Sequence, residues 1–98
     1  MSTYDFNDGN GPVAAHKHSN GGGWVADSAT VAESAYVGPD AVVFGDAKVS
    51  GNAWVFGSAK VSGNAVISGS AKIYGNAKVS DNAEVYGDAE VYEGEITE

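Results

Sequence analysis

The chain has no cysteine and no arginine, and among its 98 residues there are only two prolines, two tryptophans and three threonines. Without cysteine there is no disulfide framework and no thiolate metal site, so cysteine usage says nothing about the redox compartment. Without arginine, and at net charge −8 against five lysines, a nucleic-acid polymer is not an expected partner. Phosphate binding relies on clustered cations that release counterions. The same charge opposes an anionic membrane, and no stretch approaches the roughly 18 apolar residues of a membrane span. A basic segment followed by an apolar run, the mark of a secretory signal, is also missing from the N-terminus.

What is present is order. The 43% hydrophobic content is mostly alanine and valine, which suits a thin, long core better than a broad one. From Val25 an aliphatic residue recurs at every sixth position without a slip: Val25, Val31, Val37, Val43, Val49, Val55, Val61, Ile67, Ile73, Val79, Val85 and Val91. Four places after each but the last stands an alanine, from Ala29 and Ala35 to Ala83 and Ala89. Two interior columns are thereby written into the chain. Between them lie pairs such as Gly45-Asp46, Gly51-Asn52 and Gly69-Ser70, which supply turn chemistry, so each hexad reads as a short strand followed by a sharp corner. A helix is excluded, since a glycine every sixth place would cost it about 1 kcal/mol each and six is not a helical period.

The unit aliphatic-x-Gly-(Asn/Asp/Ser)-Ala-x resembles the hexapeptide repeat of left-handed parallel β-helix proteins, and the resemblance runs from Val25 to about Val91. It implies an all-β fold, a single-stranded left-handed triangular prism in which three hexads make one coil, against the usual right-handed crossover rule. Eleven hexads then give about four coils, stacked about 4.8 Å apart, for a prism on the order of 20 Å long. Residues 1–23 are expected to form an N-terminal cap or arm, and residues 24–98 the repeat domain with an acidic C-terminal cap of Glu90, Glu93, Glu95 and Glu98. Trp24 is expected to lid the apolar core at the N-terminal end. Tyr4 and Phe6 are the anchors by which the weakly hydrophobic opening segment would pack.

Wrapping the sequence at an eighteen-residue period separates three faces. One displays the pairs Tyr36/Gly38, Trp54/Phe56, Lys72/Tyr74 and Glu90/Tyr92, an aromatic ladder. The next shows Trp24/Ala26, Val42/Phe44, Lys60/Ser62 and Lys78/Ser80, apolar at its start and cationic later. The last, with Thr30/Ala32, Lys48/Ser50, Val66/Ser68 and Glu84/Tyr86, resembles an ordinary solvated surface. Aromatic side chains offer about 150–250 Å² each, so the ladder exceeds the few hundred Å² a soluble monomer normally exposes. Left-handed β-helices of this kind commonly form parallel homotrimers, which implies a trimer packed through the aromatic face and its corner with Phe44. Subunit packing alone would account for these rings. The functional alternative is a groove between prisms, lined by Trp54, Phe56 and Tyr74 with Lys60, Lys72 and Lys78 nearby, that stacks a flat ligand, while Tyr36 and Phe44 complete the interface.

The only histidines, His16 and His18, form an H-x-H pair before the repeat. In an extended segment both imidazoles point the same way, and three such pairs around a trimer axis would surround a transition metal in octahedral geometry. Such sites occur in similar trimeric phage fibre and spike proteins. The plainer expectation is that both are solvent-exposed or capping groups, and no other cofactor is expected. Acyltransferases of the hexapeptide family use a histidine base near a subunit interface and loops extruded from the coils. Here the hexads run unbroken and hold no His, Cys or Arg. The three-histidine zinc site of γ-class carbonic anhydrases cannot be assembled either. Three threonines do not make the ladders of ice-binding β-helices, and Gly21-Gly22-Gly23 precedes no helix that could hold a phosphate.

The opening segment, Gly-Gly-Gly-Trp-Val and an uninterrupted repeat together look most like small hexapeptide-repeat proteins of phage or prophage origin. The expectation is a non-catalytic homotrimeric binding module, in the host cytoplasm or on a virion, that holds a small molecule such as a nucleotide signal, or a host protein. A structural component of a virion or fibre is the alternative, and a hexapeptide-family acyltransferase a third. The chain ends seven residues after Val91, which favours a free-standing protein over a spacer.

Overall fold

A computed structural model describes residues 3–6 and 11–96. The described residues are all β. β1 (Thr3–Asp5) and β2 (Pro12–Lys17) form an antiparallel hairpin, and β3 (Trp24–Ala26) opens the repeat. Two-residue strands follow at each hexad: β4 (Thr30–Val31), β5 (Tyr36–Val37), β6 (Val42–Val43), β7 (Lys48–Val49), β8 (Trp54–Val55), β9 (Lys60–Val61), β10 (Val66–Ile67), β11 (Lys72–Ile73), β12 (Lys78–Val79), β13 (Glu84–Val85) and β14 (Glu90–Val91), with β15 (Glu95–Ile96) closing the chain. They stack in parallel into a β-solenoid of about four turns with three sheets: β3-β6-β9-β12-β15, β4-β7-β10-β13 and β5-β8-β11-β14. The hairpin extends the first of these antiparallel, in the order β1-β2-β3.

The two columns read from the sequence form the core. Every Ala from Ala35 to Ala83 and every sixth-place aliphatic residue from Val37 to Val79 is buried. Burying one valine or isoleucine side chain contributes about 1.5–3 kcal/mol, and the alanines fill corners too narrow for anything larger. The backbone ladder continues around the corners. Trp54, Phe56 and Ser58 each donate an N–H to the coil above, to the carbonyls of Ala71, Ile73 and Gly75, all at 2.9 Å. Strands of two residues suffice because each hexad from Val42 to Asn76 adds three such bonds, which leaves few backbone groups without partners.

The corners differ along the prism. From Gly45 to Gly87 the third place of the hexad carries a positive φ, held even by Asp81 at 57° where the glycine is replaced. In the first coil that place is Asp27, Glu33 or Pro39, and the turns close with short bonds such as Ala29 N–H to the Ala26 carbonyl at 2.9 Å. There the hydroxyls of Ser28 and Ser34 donate to the carbonyls of Gly45 and Gly51.

Each end departs from the sequence expectation in one respect. Trp24 does not lid the core. It lies on the outer side of β3 and stacks on Tyr4. The N-terminal end of the prism is closed instead by His18, 6% exposed, and by the turn after it. The Val37 N–H donates to the Asn20 carbonyl at 3.0 Å and the Gly23 N–H to the Val37 carbonyl at 2.9 Å, so this turn pairs with the edge of β5. At the C-terminal end the solenoid runs one strand beyond Val91. Ile96 pairs with Val79, seventeen residues away rather than eighteen. The short step puts Ile96 against the core and Glu95 outside, in the column of Lys60 and Lys78.

Candidate functional site

The predicted site residues fall on two adjoining faces. On the aromatic face, β5, β8, β11 and β14 hold their outward residues in register: Tyr36 opposite Trp54, Trp54 opposite Lys72, Lys72 opposite Glu90. The rings touch in sequence. Tyr36 lies 5.4 Å from Trp54, Trp54 is edge-on to Phe56 at 6.0 Å, Phe56 stacks on Tyr74 at 5.0 Å and 6°, and Tyr74 stacks on Tyr92 at 5.9 Å. Tyr36, Phe56 and Tyr74 are half-buried by one another, whereas Trp54 is 48% and Tyr92 57% exposed. Tyr92 belongs to the ladder although its hexad is the last, and the eighteen-residue wrap had already placed it there.

The Tyr74 hydroxyl donates to the Glu90 carboxylate at 3.5 Å. Desolvation, the Glu90 charge, that hydrogen bond and Tyr92 all raise the Tyr74 phenol above its ordinary value, because each disfavours the phenolate.

Phe44, Lys60 and Lys78 stand apart from this ladder, on the neighbouring sheet. Phe44 is not free to face a partner in full, since Phe6 stacks on it at 4.7 Å and 17°. Phe6, itself 4% exposed, joins Ala15, Ala26 and Val42 in a second small core to which Tyr4, Val13, Trp24 and Phe44 contribute. Below this covered patch Lys60, Lys78, Ser62, Ser80 and Glu95 continue the face as the rim and floor of a shallow concavity of about 260 Å³, with Phe6 and Phe44 at its other end. Sequence reasoning singled out the lysines and Phe44 here but not Phe6 or Glu95. The first lies outside the repeat, and the second reaches its column only through the seventeen-residue step.

His16 and His18 take separate partners. His16 is exposed and its Nδ1 pairs with Asp27 Oδ1 at 2.8 Å, while the buried His18 directs Nε2 to the Ala35 carbonyl at 2.8 Å. His18 therefore acts as a donor that closes the first coil. Among the described residues no group of three or more His, Cys, Asp or Glu side chains is arranged to hold a metal ion. No helix of the described residues is long and apolar enough to cross a membrane.

No protein-family model, curated protein or solved structure matches the chain.

Proposed function

We propose that the protein is a non-catalytic homotrimeric binding module of phage origin, whose subunits pack through the aromatic face and hold a small molecule or a host protein at the grooves between them. One observation carries this reading: the unbroken line of ring contacts from Tyr36 through Trp54, Phe56 and Tyr74 to Tyr92, uncovered by any described part of the chain. A soluble monomer rarely leaves so large a contiguous apolar patch to water. At about 25 cal/mol per Å², burying several hundred Å² per subunit contributes enough to offset the cost of association. The resemblance of the repeat to left-handed β-helices that form parallel trimers supplies the stoichiometry. Lys72, at the edge of the ladder, gives each groove a positive charge beside aromatic faces, a combination that suits a flat anion such as a nucleotide signal and its sequestration.

Native mass spectrometry of protein purified gently from its expression host tests this. A species at three times the 9.9 kDa chain mass is expected, carrying added small-molecule mass. Trp54→Glu combined with Phe56→Glu is expected to reduce it to single chains. A wild-type monomer at micromolar concentration would end the trimer proposal.

A further inference from the structure

The concavity on the cationic face has features that packing does not explain. Lys60 and Lys78 are register partners on β9 and β12, so two ammonium groups are stacked on adjacent rungs. Like charges opposite one another destabilise a sheet, and the one carboxylate in this column, Glu95, lies on the far side of Lys78, so Lys60 has only Lys78 and Val42 as its register neighbours. Among the described residues neither lysine lies within ion-pair distance of a carboxylate. Beside the lysines, in the column on the far side of the buried valines, stand Ser62 and Ser80, also on adjacent rungs and half-buried. Two cations and two hydroxyls thus converge on one patch of the concavity. Its upper end is apolar, made by the rings of Phe6 and Phe44. Its lower end is Glu95, a carboxylate in register with Lys78.

We infer that this concavity is a binding site, complete within one chain, for a small molecule that carries a single anionic group on a planar apolar ring: an aryl or heteroaryl phosphate or carboxylate. The anionic group sits between the Lys60 and Lys78 ammonium groups and accepts hydrogen bonds from the Ser62 and Ser80 hydroxyls, contacts strengthened by the charge. The ring rests against Phe6 and Phe44. The two ends lie about three rungs apart, on the order of 14 Å, which accommodates one ring and one short acidic group. Glu95 sets the sign and number of charges, because it repels a second anionic group at the lower end and favours a hydrogen-bond donor there. The inference shares with the proposed function only the premise of a binding protein. It needs no subunit contact, and the wall residue Phe6 comes from the hairpin rather than the repeat.

Phenyl phosphate is the probe, with inorganic phosphate as the comparison, and binding is followed by chemical shifts of the protein amides. Saturable binding is expected at Lys60, Ser62, Lys78 and Phe44. It should weaken with added salt and fall by about tenfold or more in Lys60→Met/Lys78→Met, whose exposed sites tolerate the change. The Lys48→Met control on the third face should bind like the wild type. Glu95→Gln should tighten binding by about threefold through loss of a repulsion. Binding that survives in the monomeric Trp54→Glu/Phe56→Glu variant assigns the site to one chain, and binding lost there while the fold persists overturns that assignment. No saturable binding of phenyl phosphate, equal binding by the double lysine variant, or inorganic phosphate bound as tightly as phenyl phosphate would each overturn the inference. None of these outcomes touches the oligomeric state, which the mass measurement decides separately.

Discussion

Two faces of this prism carry aromatic rings on their outer side, and the chain treats them differently. On the cationic face the rings of Trp24 and Phe44 are met by Tyr4 and Phe6, brought up by a hairpin that adds two antiparallel strands to the sheet. On the aromatic face the rings of Tyr36, Trp54, Phe56, Tyr74 and Tyr92 stack on no ring from outside that face. The first arrangement shows what this chain does with an apolar outer surface when water is the alternative: it supplies a cover. By that standard the second surface is one that the described residues leave without a ring to cover it, and a cover is what the proposed assembly would supply. Hydrophobic burial does not distinguish an internal partner from an external one, so the contrast is one of topology and not of chemistry.

The comparison breaks first at Phe6. Its ring is almost fully buried between the hairpin and Phe44, so Phe6→Ala is expected to cost about 3 kcal/mol in chemical denaturation. Trp54→Ala, on the uncovered face, is expected to cost less than about 1 kcal/mol when measured at dilutions where no assembly persists. Equal losses at the two positions would mean that the ladder is a structural element of the single chain, and the case for an external cover would fall.

The hairpin can also be detached at its root. Gly23 lies against the Val37 side chain and the carbonyls of Gly38 and Ala41, with no room for a Cβ. Gly23→Ala is therefore expected to displace the turn that pairs with β5, at a cost of about 2 kcal/mol. Amide exchange reads this directly. Val37, whose N–H donates to the Asn20 carbonyl, should lose protection, while Phe56 and Ser58, further up the prism, should keep theirs. Uniform loss of protection would show that cap and prism unfold as one unit.

The repeat is legible in the sequence because its physics is local: a buried aliphatic, a corner alanine and a turn residue recur together, and each hexad repeats the same solution. All the aliphatic positions from Val37 to Val79 are buried as the period requires, and the eighteen-residue wrap also assembles the ladder, Tyr92 included. What was not legible lies where the period stops. Ile96 enters the core after a five-residue step from Val91 with no corner alanine, so no column announces it. His18 closes the prism through one bond to the Ala35 carbonyl, a contact that depends on how the segment of residues 18–23 folds back. Phe44 reads in the wrap as an open ring at the corner of the aromatic face, and only the docking of Phe6 covers it. The site on the cationic face was half visible for the same reason. Lys60, Ser62, Lys78 and Ser80 obey the period, whereas Phe6 and Glu95 do not.

The smallest effect expected belongs to Tyr74, and it sharpens the picture of an aromatic face whose rings shelter one another while remaining open to a partner. The phenol is raised by desolvation first, then by the Glu90 charge and hydrogen bond and by Tyr92, so the folded protein keeps the proton at pH values where the unfolded chain has released it. Stability is thus unaffected below about pH 10 and declines as the pH rises through the folded value. A phenolate absorbance titration should show a tyrosine that ionises later in the folded protein than in the unfolded chain, and Glu90→Gln should reduce that delay by removing the charge and leaving the packing of Phe56 and Tyr92 in place. If assembly covers this face, the late tyrosine should move later still as protein concentration increases, because a second desolvation is added to the first. A titration independent of both Glu90 and concentration would separate Tyr74 from the exposed ladder and leave Trp54 and Tyr92 as its open rings.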